Sequence, residues 1–323
     1  MTESTHSGSR ENDPISGYRA GPRSVLIVPA SVPRFLEKAP SVDADAFVID
    51  LEDSVTPGDK VRARALAASA LQELDFGGRS VALRVNGWAS AHTFRDVIEV
   101  VGRASGCLDA VLLPKTGGPA EVHALDLLLA QVEREAGTAV GRTGIDLLVE
   151  SARGLAEVER SCRASKRVRS VVLGPGDLAS SLGMPVLTTP RDRFSEASEV
   201  LRAALFRILV AARAQGLVAL DGPFFGLEDD EGLRASALRA RALGCDGKWA
   251  IHPDQVAVLN EVFSPTSVEL ERAREILARL GEAEASGQGA VRDGNEMIDE
   301  ASRQMAHAVL GRSRRTRAVS EEA

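Results

Sequence analysis

Short runs of apolar, β-branched residues alternate with longer amphipathic segments along most of this 323-residue chain. Eight runs predict strands: Ser24–Val28, Ala46–Asp50, Ser80–Arg84, Ala110–Leu113, Asp146–Val149, Ser170–Leu173, Val218–Leu220 and Gly247–Ile251. Most of these runs lack polar alternation, which is typical of strands buried on both faces of a parallel sheet. Strands that alternate with helices indicate βαβ units, and about eight such units close a (β/α)8 barrel. The sequence therefore predicts an α/β protein with a TIM barrel, since the Gly-rich fingerprint of an open doubly wound sheet is missing.

The segments between and after the runs set the domain organisation. Helices are predicted at Asp59–Leu74, Ala91–Arg103, Glu121–Ala136, Gly154–Ala164, Pro190–Ala214 (one helix or two) and Glu231–Leu243. We expect a disordered leader at 1–21, the barrel at 22–265, a C-terminal helical extension at 266–311 and a charged tail at 312–323. The extension consists of a helix at Ser267–Leu280, a flexible connector at Gly281–Gly294 and a short helix at Glu296–Leu310. This last helix has an apolar face that cannot fold alone, so we expect it to dock on the barrel or on a neighbouring subunit.

Composition limits the cellular compartments and the classes of binding partner that we expect for this protein. The net charge of −7 argues against a nucleic-acid partner, which would require a basic face. The three cysteines, Cys107, Cys162 and Cys245, have no short paired spacing, so they suit a reducing cytoplasm and indicate no zinc site. The first twenty residues contain no apolar signal region, and no later run is long enough to span a membrane. We therefore expect a cytoplasmic protein without membrane or nucleic-acid partners.

Ionisable residues follow seven of the eight predicted strands. They are Asp50, Glu52 and Asp53 after the second strand, Arg84 after the third, Lys115 after the fourth, Glu150 after the fifth, Asp177 after the sixth, Asp221 after the seventh and His252 after the eighth. TIM-barrel enzymes place their active sites at the carboxyl ends of the strands. Because these groups are all expected at that one rim, their position indicates an enzyme.

Two carboxylates at this rim suggest a metal site. Glu150 and Asp177 lie 27 residues apart, about one βα unit, so we expect them on adjacent strands. Side-by-side carboxylates repel each other, and Mg²⁺ is typically held by one or two carboxylates together with waters and substrate oxygens. The functional interpretation is a magnesium site that chelates a 2-oxo or 2-hydroxy acid. The alternative is that both carboxylates accept hydrogen bonds from the helix N-termini that surround the rim.

The other rim residues each have a structural alternative as well. Arg84 ends an apolar strand, so its guanidinium should face a carboxylate, either from a substrate or from Asp50 or Asp53. Lys115 either neutralises a phosphate or carboxylate or bonds to a carbonyl. Asp221 and His252 fit substrate contacts and loop-fixing hydrogen bonds equally well, and the run around Lys248 looks more like barrel closure than catalysis.

Ordered motifs along the chain carry a family resemblance. They are RSVLIVPAS (Arg23–Ser31), DAFVIDLEDSVTPGDK (Asp45–Lys60), RVNG (Arg84–Gly87), LLPK (Leu112–Lys115), VESARGL (Val149–Leu155), LGPGDLASSLG (Leu173–Gly183), GKWAIHPDQ (Gly247–Gln255) and NEMID (Asn295–Asp299). Together they resemble the citrate lyase beta-subunit-like and malyl-CoA lyase branch of the HpcH/HpaI aldolase superfamily. Two departures are Ala30, where relatives often carry glycine, and the span Leu187–Arg202, which matches no motif.

The resemblance implies a site and a reaction. It implies a homotrimer or homohexamer with Mg²⁺ on Glu150 and Asp177, and an Asp299 that serves as acid or base in the adjacent subunit's site. The predicted catalytic residues are Arg84, Asp53 and Asp299, and the predicted substrate contacts are Arg84, Glu150, Lys115, Asp50 and Pro175. The implied reaction cleaves or forms a 3-hydroxyacyl-CoA of the malyl-CoA or citramalyl-CoA type, with a 2-oxo acid and an acyl-CoA as the other side. Alternatives are a magnesium-dependent aldolase for free 2-oxo acids, a malyl-CoA thioesterase and a non-catalytic binding paralogue.

Overall fold

Eight parallel strands form a closed barrel in the computed structural model, which describes residues 21–104, 106–185 and 196–321. The strands are β1 (Ser24–Pro29), β2 (Ala46–Asp50), β3 (Ser80–Arg84), β4 (Ala110–Leu113), β5 (Gly144–Val149), β6 (Val168–Leu173), β7 (Val218–Asp221) and β8 (Gly247–Ala250). They pair in sequence order, and β1 pairs with β8 to close the ring. The predicted TIM barrel is confirmed.

Helices surround the barrel in the expected alternation. They are α1 (Pro33–Lys38), α2 (Lys60–Glu73), α3 (Thr93–Asp96), α4 (Pro119–Glu135), α5 (Ala152–Ala156), α6 (Val158–Cys162), α7 (Pro175–Ser181), α8 (Glu196–Arg213), α9 (Asp230–Leu243) and α10 (Asp254–Phe263). Short 3-10 turns at Ala39–Ser41 and Pro57–Asp59 and a π-helical turn at Val97–Val101 join them. The leader expected at 1–21 lies outside the described residues up to position 20, as do residues 186–195 of the stretch before α8.

Two apolar layers hold the barrel together. Because successive strand side chains point to opposite faces, one set fills the interior and the other packs against the helices. The interior set is Val25, Ala46, Val48, Ala82, Ala110, Leu112, Leu148, Val172, Leu220 and Trp249. The outer set is larger and includes the buried faces of α2, α4, α8 and α10. This alternation decides which residues at the strand ends face the barrel axis.

The C-terminal region corrects part of the prediction. Helix α11 runs from Ser267 to Ala285 and begins with a capping box, in which Thr266 and Glu269 exchange side-chain-to-backbone hydrogen bonds. The expected flexible connector is instead the end of α11 followed by an antiparallel hairpin of β9 (Val291–Asp293) and β10 (Glu296–Ile298). Helix α12 spans Glu300–Glu321, so the backbone of the expected charged tail is helical to Glu321. Helix α11 continues past Gly281 because the Ala- and Glu-rich residues that follow favour helix despite this glycine.

Helix α12 packs against α11 within the same chain. Ile298 and Ala306 are almost completely buried there, together with Leu280 and Ala283 of α11. The apolar face of the last helix is therefore at least partly covered by its own extension. Docking of this extension on a neighbouring subunit stays a prediction.

Candidate active site

Strand register brings the first two rim residues together. Asp50 ends β2 and Arg84 ends β3, and the two are direct partners in the ladder. Both have the parity of the interior residues Val48 and Ala82, so both side chains point to the barrel axis. Arg84 Nε and Nη2 donate to the two oxygens of Asp50 at 2.6 and 2.7 Å. Of the two partners that the sequence analysis considered for Arg84, a substrate carboxylate or a protein carboxylate, the structure shows the protein carboxylate.

Asp50 is fully occupied by its neighbours. It has no exposed surface, and it also accepts hydrogen bonds from the Glu52 and Ser54 backbones and from the Ser54 hydroxyl. Burial alone would raise the pKa of Asp50, but the charge and hydrogen bonds of Arg84 hold it below its ordinary value. In this arrangement Asp50 orients Arg84, and its predicted substrate contact has no free surface to act through.

The loop after β2 places two more carboxylates beside Arg84. Arg84 Nη1 lies 3.2 Å from Glu52 Oε2 and 3.7 Å from Asp53 Oδ2. Glu52 is buried, and burial raises its pKa even though Arg84 and Lys115 act in the opposite direction. Asp53 is about half exposed, with 55% of its side-chain surface accessible, so it is the acidic group of this loop that can meet a substrate. Sequence reasoning had not singled out Glu52 from its two acidic neighbours.

Glu150 follows β5 and continues the inward parity of Leu148. It is 4% exposed, and its Oε1 accepts a hydrogen bond from the Lys115 backbone N–H at 2.7 Å. Burial, together with the charges of Glu52 and Asp177, raises the pKa of Glu150 to about 8. Burial and the neighbouring carboxylates therefore disfavour the ionised form of Glu150.

Glycines allow the adjacent strand end to approach Glu150. A Cβ on Gly174, the residue after β6, would lie 2.5 Å from Glu150 Cβ and 2.6 Å from its Oε2. Pro175 then opens α7 and is buried, and Asp177 lies in the first turn of that helix with 46% of its side chain exposed. A Cβ on Gly222 would lie 2.4 Å from Pro175 Cδ, so the turn after β7 supports this loop. Glu150 and Asp177 therefore sit at neighbouring strand ends, as the spacing predicted.

A second group of polar residues holds the loops but was not predicted from the sequence. Lys60 of α2 is 7% exposed, and its ammonium donates to the carbonyls of Leu51 and Glu52 at 2.8 Å each. Asn86 after β3 donates to the Leu51 carbonyl and to Asp96. The only signal in the sequence was that these polar residues lie near a predicted active-site rim.

The donor set fits a hard divalent cation. Within the ranges that the structure describes, no three or more His, Cys, Asp or Glu side chains form a cage that could hold a metal. A magnesium site needs no such cage, because Mg²⁺ keeps several waters and takes one or two carboxylates. Glu150 and Asp177 are two carboxylates of this kind, and a cation would compensate the negative charges that, in addition to burial, raise the pKa of Glu150.

Two other predicted rim residues have structural partners. Asp221 Oδ2 lies 2.5 Å from the ammonium of Lys248, and both side chains are buried. They share the parity of the outer residues Ala219 and Ala250, so the pair lies on the helix side of the barrel wall. His252 is half exposed and contacts Asp254. These contacts favour barrel closure over substrate binding for Asp221.

Asp299 stands apart from the rim cluster. It precedes α12, where its Oδ1 accepts hydrogen bonds from the backbones of Ala301 and Ser302 at 2.9 and 3.2 Å. None of its described hydrogen bonds reaches Arg84 or Glu150. Its role in catalysis stays a prediction.

A closed (β/α)8 barrel with buried carboxylates and an arginine at the carboxyl ends of its strands defines a TIM-barrel protein with an enzyme-like rim, suited to a divalent cation and an anionic substrate. The model of the HpcH/HpaI aldolase/citrate lyase family matches residues 23–253. The chain belongs to this family.

Relatives with two different activities match almost the whole chain. An L-malyl-CoA/beta-methylmalyl-CoA lyase of Cereibacter sphaeroides is 38% identical over 303 residues, covering 89% of this chain and 93% of the relative. A (3S)-malyl-CoA thioesterase of the same species is 37% identical over 273 residues, covering 84% of this chain and 88% of the relative.

Solved structures agree with the fold. The CitE protein of Mycobacterium tuberculosis, in complex with magnesium, acetoacetate and coenzyme A, is 30% identical and covers 91% of this chain and 98% of its own, with a TM-score of 0.75. A citrate lyase of Burkholderia xenovorans has a TM-score of 0.80 at 24% identity, with 92% of each chain covered, and supports the fold alone. In the described part of the chain, no helix has the length and apolar character needed to cross a bilayer.

Proposed function

We propose that this protein is a Mg²⁺-dependent carbon–carbon lyase for a 3-hydroxyacyl-CoA of the malyl-CoA or citramalyl-CoA type. The observation that carries the proposal is the meeting of Glu150 and Asp177 at adjacent strand ends, next to a buried Arg84. The 38% identity to a malyl-CoA/beta-methylmalyl-CoA lyase supports the substrate class. The magnesium, acetoacetate and coenzyme A bound to the related CitE protein support the cofactor and both halves of the substrate.

Glu150 and Asp177 would hold the metal. When bound there, Mg²⁺ supplies a positive charge that polarises the hydroxyl and carboxylate of the substrate. Glu150 is kept in place by the Lys115 backbone N–H and by the close approach of Gly174. Asp177 reaches the same place from the first turn of α7. Because Glu150 is buried, water would screen its attraction to a bound cation only weakly.

Arg84 would stabilise the 2-oxo acid half of the reacting molecule. Its guanidinium is fixed by Asp50, so it is preorganised to interact with negative charge that develops on the substrate. The hydroxyl proton leaves to a rim carboxylate, for which Asp53 is the exposed candidate. The carbon–carbon bond then breaks, the hydroxyl carbon becomes the carbonyl of the 2-oxo acid, and the electron pair passes to the thioester fragment as an enolate.

Asp299 would protonate that enolate carbon to give the acyl-CoA. In this chain its hydrogen bonds lie at the start of α12, and it is exposed. We propose that it acts in the site of an adjacent subunit, in a homotrimer or homohexamer. The absence of paired cysteine spacing and the three free thiols support a cytoplasmic location.

Product analysis tests the proposal. Wild type and Glu150→Gln are incubated with malyl-CoA and citramalyl-CoA, with and without Mg²⁺, and the products are separated by chromatography. We expect metal-dependent release of glyoxylate or pyruvate together with intact acetyl-CoA, and loss of this activity in the variant. Lys166→Gln, a surface change away from the rim, serves as the control and should keep wild-type activity.

A thioesterase is the second candidate, favoured by the 37% identity to a (3S)-malyl-CoA thioesterase. It would release free CoA and malate from the same substrate. Detection of free CoA without glyoxylate would therefore identify a thioesterase activity and refute the lyase. Turnover of free 2-oxo acids, with no turnover of either CoA ester, would identify an aldolase and refute both CoA-dependent activities.

Subunit mixing tests the position of Asp299. Glu150→Gln subunits keep Asp299, and Asp299→Asn subunits keep the metal ligands. If Asp299 acts across the subunit interface, reassembled mixtures regain activity that neither variant has alone. Mixtures that stay inactive after verified subunit exchange would place its role within its own subunit or outside catalysis.

A further inference from the structure

Lys115 has an unusual backbone conformation. Among the residues described, it is the one non-glycine residue with a positive φ, at +50°. This left-handed region is disfavoured for residues with a Cβ, and such conformations persist where the surrounding structure imposes them. The chain makes this turn directly after β4, at the rim where Glu150 and Asp177 meet. The conformation therefore coincides with the candidate metal site.

The turn aims the Lys115 backbone at Glu150. Its N–H donates to Glu150 Oε1 at 2.7 Å. The next residue, Thr116, continues the barrel pairing by donating to the Leu148 carbonyl, and its hydroxyl bonds back to Leu113. The two hydrogen bonds of Thr116 thus fix the turn at Lys115. This turn, through its backbone N–H, fixes one carboxylate oxygen of Glu150.

The Lys115 side chain reaches the other carboxylates. Its ammonium lies 2.6 Å from Glu52 Oε1, 3.3 Å from Asp53 Oδ1 and 3.8 Å from Asp177 Oδ2. Lys115 therefore places a positive charge among the same acidic groups that would attract a cation.

We propose that Lys115 is a positioning residue for the metal site, with separate tasks for its backbone and its side chain. The backbone N–H in the left-handed turn orients Glu150 as a ligand. The ammonium neutralises Glu52, Asp53 and Asp177 in the metal-free protein and competes with the divalent cation for Asp177. This inference rests on the proposed function only for the presence of the magnesium site.

The two tasks are separable by substitution. Lys115→Met keeps the backbone N–H and removes the charge, and Lys115→Gly does the same while relieving the strained φ. Lys115→Val removes the charge and adds a β-branched side chain, which the left-handed region tolerates poorly. Lys115→Arg keeps a positive charge and is the matched control.

Mg²⁺ binding to each purified full-length variant is measured by isothermal titration calorimetry, with thermal melting to verify folding. We expect Lys115→Met and Lys115→Gly to bind Mg²⁺ about tenfold more tightly than wild type, because a nearby positive charge is gone. We expect Lys115→Arg to bind like wild type. Lys115→Val should bind at least about tenfold more weakly than Lys115→Met, because a turn that leaves the left-handed region no longer aims its backbone N–H at Glu150.

Each result bears on one part of the inference. Wild-type or weaker affinity in Lys115→Met and Lys115→Gly would overturn competition by the ammonium. Equal affinity in Lys115→Val and Lys115→Met would overturn orientation by the backbone. If Lys115→Val does not fold, a higher melting temperature of Lys115→Gly than of Lys115→Met reports the strain, and equal melting temperatures overturn it. If neither wild type nor Glu150→Gln binds Mg²⁺ in the calorimeter, the metal site is refuted, and the proposed role of Lys115 is refuted with it.

Discussion

Replacing Lys248 by methionine removes the positive half of a buried ion pair between β7 and β8. Strands β7 and β8 meet through the pairs Leu220↔Gly247 and Asp221↔Lys248, a shorter ladder than those of the neighbouring strands. The Lys248 ammonium lies 2.5 Å from Asp221 Oδ2, and the two side chains are 3% and 11% exposed. The pair therefore reinforces the joint that has the fewest register pairs among the described barrel strands.

The magnitude follows from the partner left behind. In Lys248→Met, Asp221 keeps the Gly222 backbone N–H but loses its cation in a buried position. Removal of one partner from a buried pair typically costs about 3–5 kcal/mol, so we expect a loss of that size in the free energy of unfolding. Asp221→Asn should also destabilise, and the double variant should cost at least about 1 kcal/mol less than the sum of the two single changes.

Urea unfolding at one fixed protein concentration, followed by circular dichroism, measures these changes. Arg234→Met is the control, because the Arg234–Glu261 pair is exposed on the surface and should leave the unfolding midpoint nearly unchanged. A Lys248→Met midpoint equal to that of the control would refute the reasoning, as would strictly additive effects in the double variant. Mg²⁺ affinity should stay at the wild-type value, since the pair faces the helices and not the barrel axis.

Two further changes probe separate parts of the molecule. Gly174→Ala adds a Cβ that would lie 2.5 Å from Glu150 Cβ, so we expect calorimetry to show at least about tenfold weaker Mg²⁺ binding. Glu133→Gln breaks the buried pair with Arg167 and should cost about 3 kcal/mol at pH 7, measured by urea unfolding. Burial would raise the pKa of Glu133, but Arg167 and two backbone N–H groups lower it. The stabilisation is therefore present above the unfolded pKa of about 4.3 and is lost as the pH falls through the lower folded value.

Matched controls accompany both changes. Gly58→Ala adds a Cβ with no atom within 4 Å and should leave Mg²⁺ binding unchanged. Wild-type affinity in Gly174→Ala would mean that Glu150 does not depend on the close approach of β6. For Glu133→Gln, the stability difference from wild type should close in acid, and a difference that stays constant down to about pH 3 would contradict the assigned ion pair.

The barrel could be predicted because its strands are apolar on both faces and short. All eight predicted strands overlap the observed ones, and β5 and β6 begin two residues earlier than expected, at Gly144 and Val168. Polar Asp146 and Ser170, where the predicted runs begin, lie inside the observed strands, and the Ser170 hydroxyl donates to Asp146. Helices α1, α7 and α10 were not predicted.

The site could be predicted only as a set of positions. Topology alone brings Arg84, Glu150 and Asp177 to one rim, since parallel strands end at the same side of the barrel. The partners of each side chain depend on rotamers and on backbone turns that the residue order does not reveal. The left-handed turn at Lys115 is such a case, because a lysine gives no signal for a positive φ. The return of Lys60 to the β2 loop is another.

We expect the choice between lyase and thioesterase to depend on Asp299, which lies outside the shared rim. Both reactions begin with the same bound malyl thioester, and relatives of both kinds are almost equally similar to this chain. They differ afterwards, because the lyase must protonate an enolate carbon while the thioesterase must bring water to the thioester carbonyl. If Asp299 is the proton donor, Asp299→Asn should bind Mg²⁺ and substrate like wild type but lose acetyl-CoA formation by at least about a hundredfold. Free CoA formed by the variant at the wild-type rate would then report water at the carbonyl, independent of Asp299. Unchanged acetyl-CoA formation would show that Asp299 is not the proton donor, and would assign protonation of the enolate carbon to a rim carboxylate.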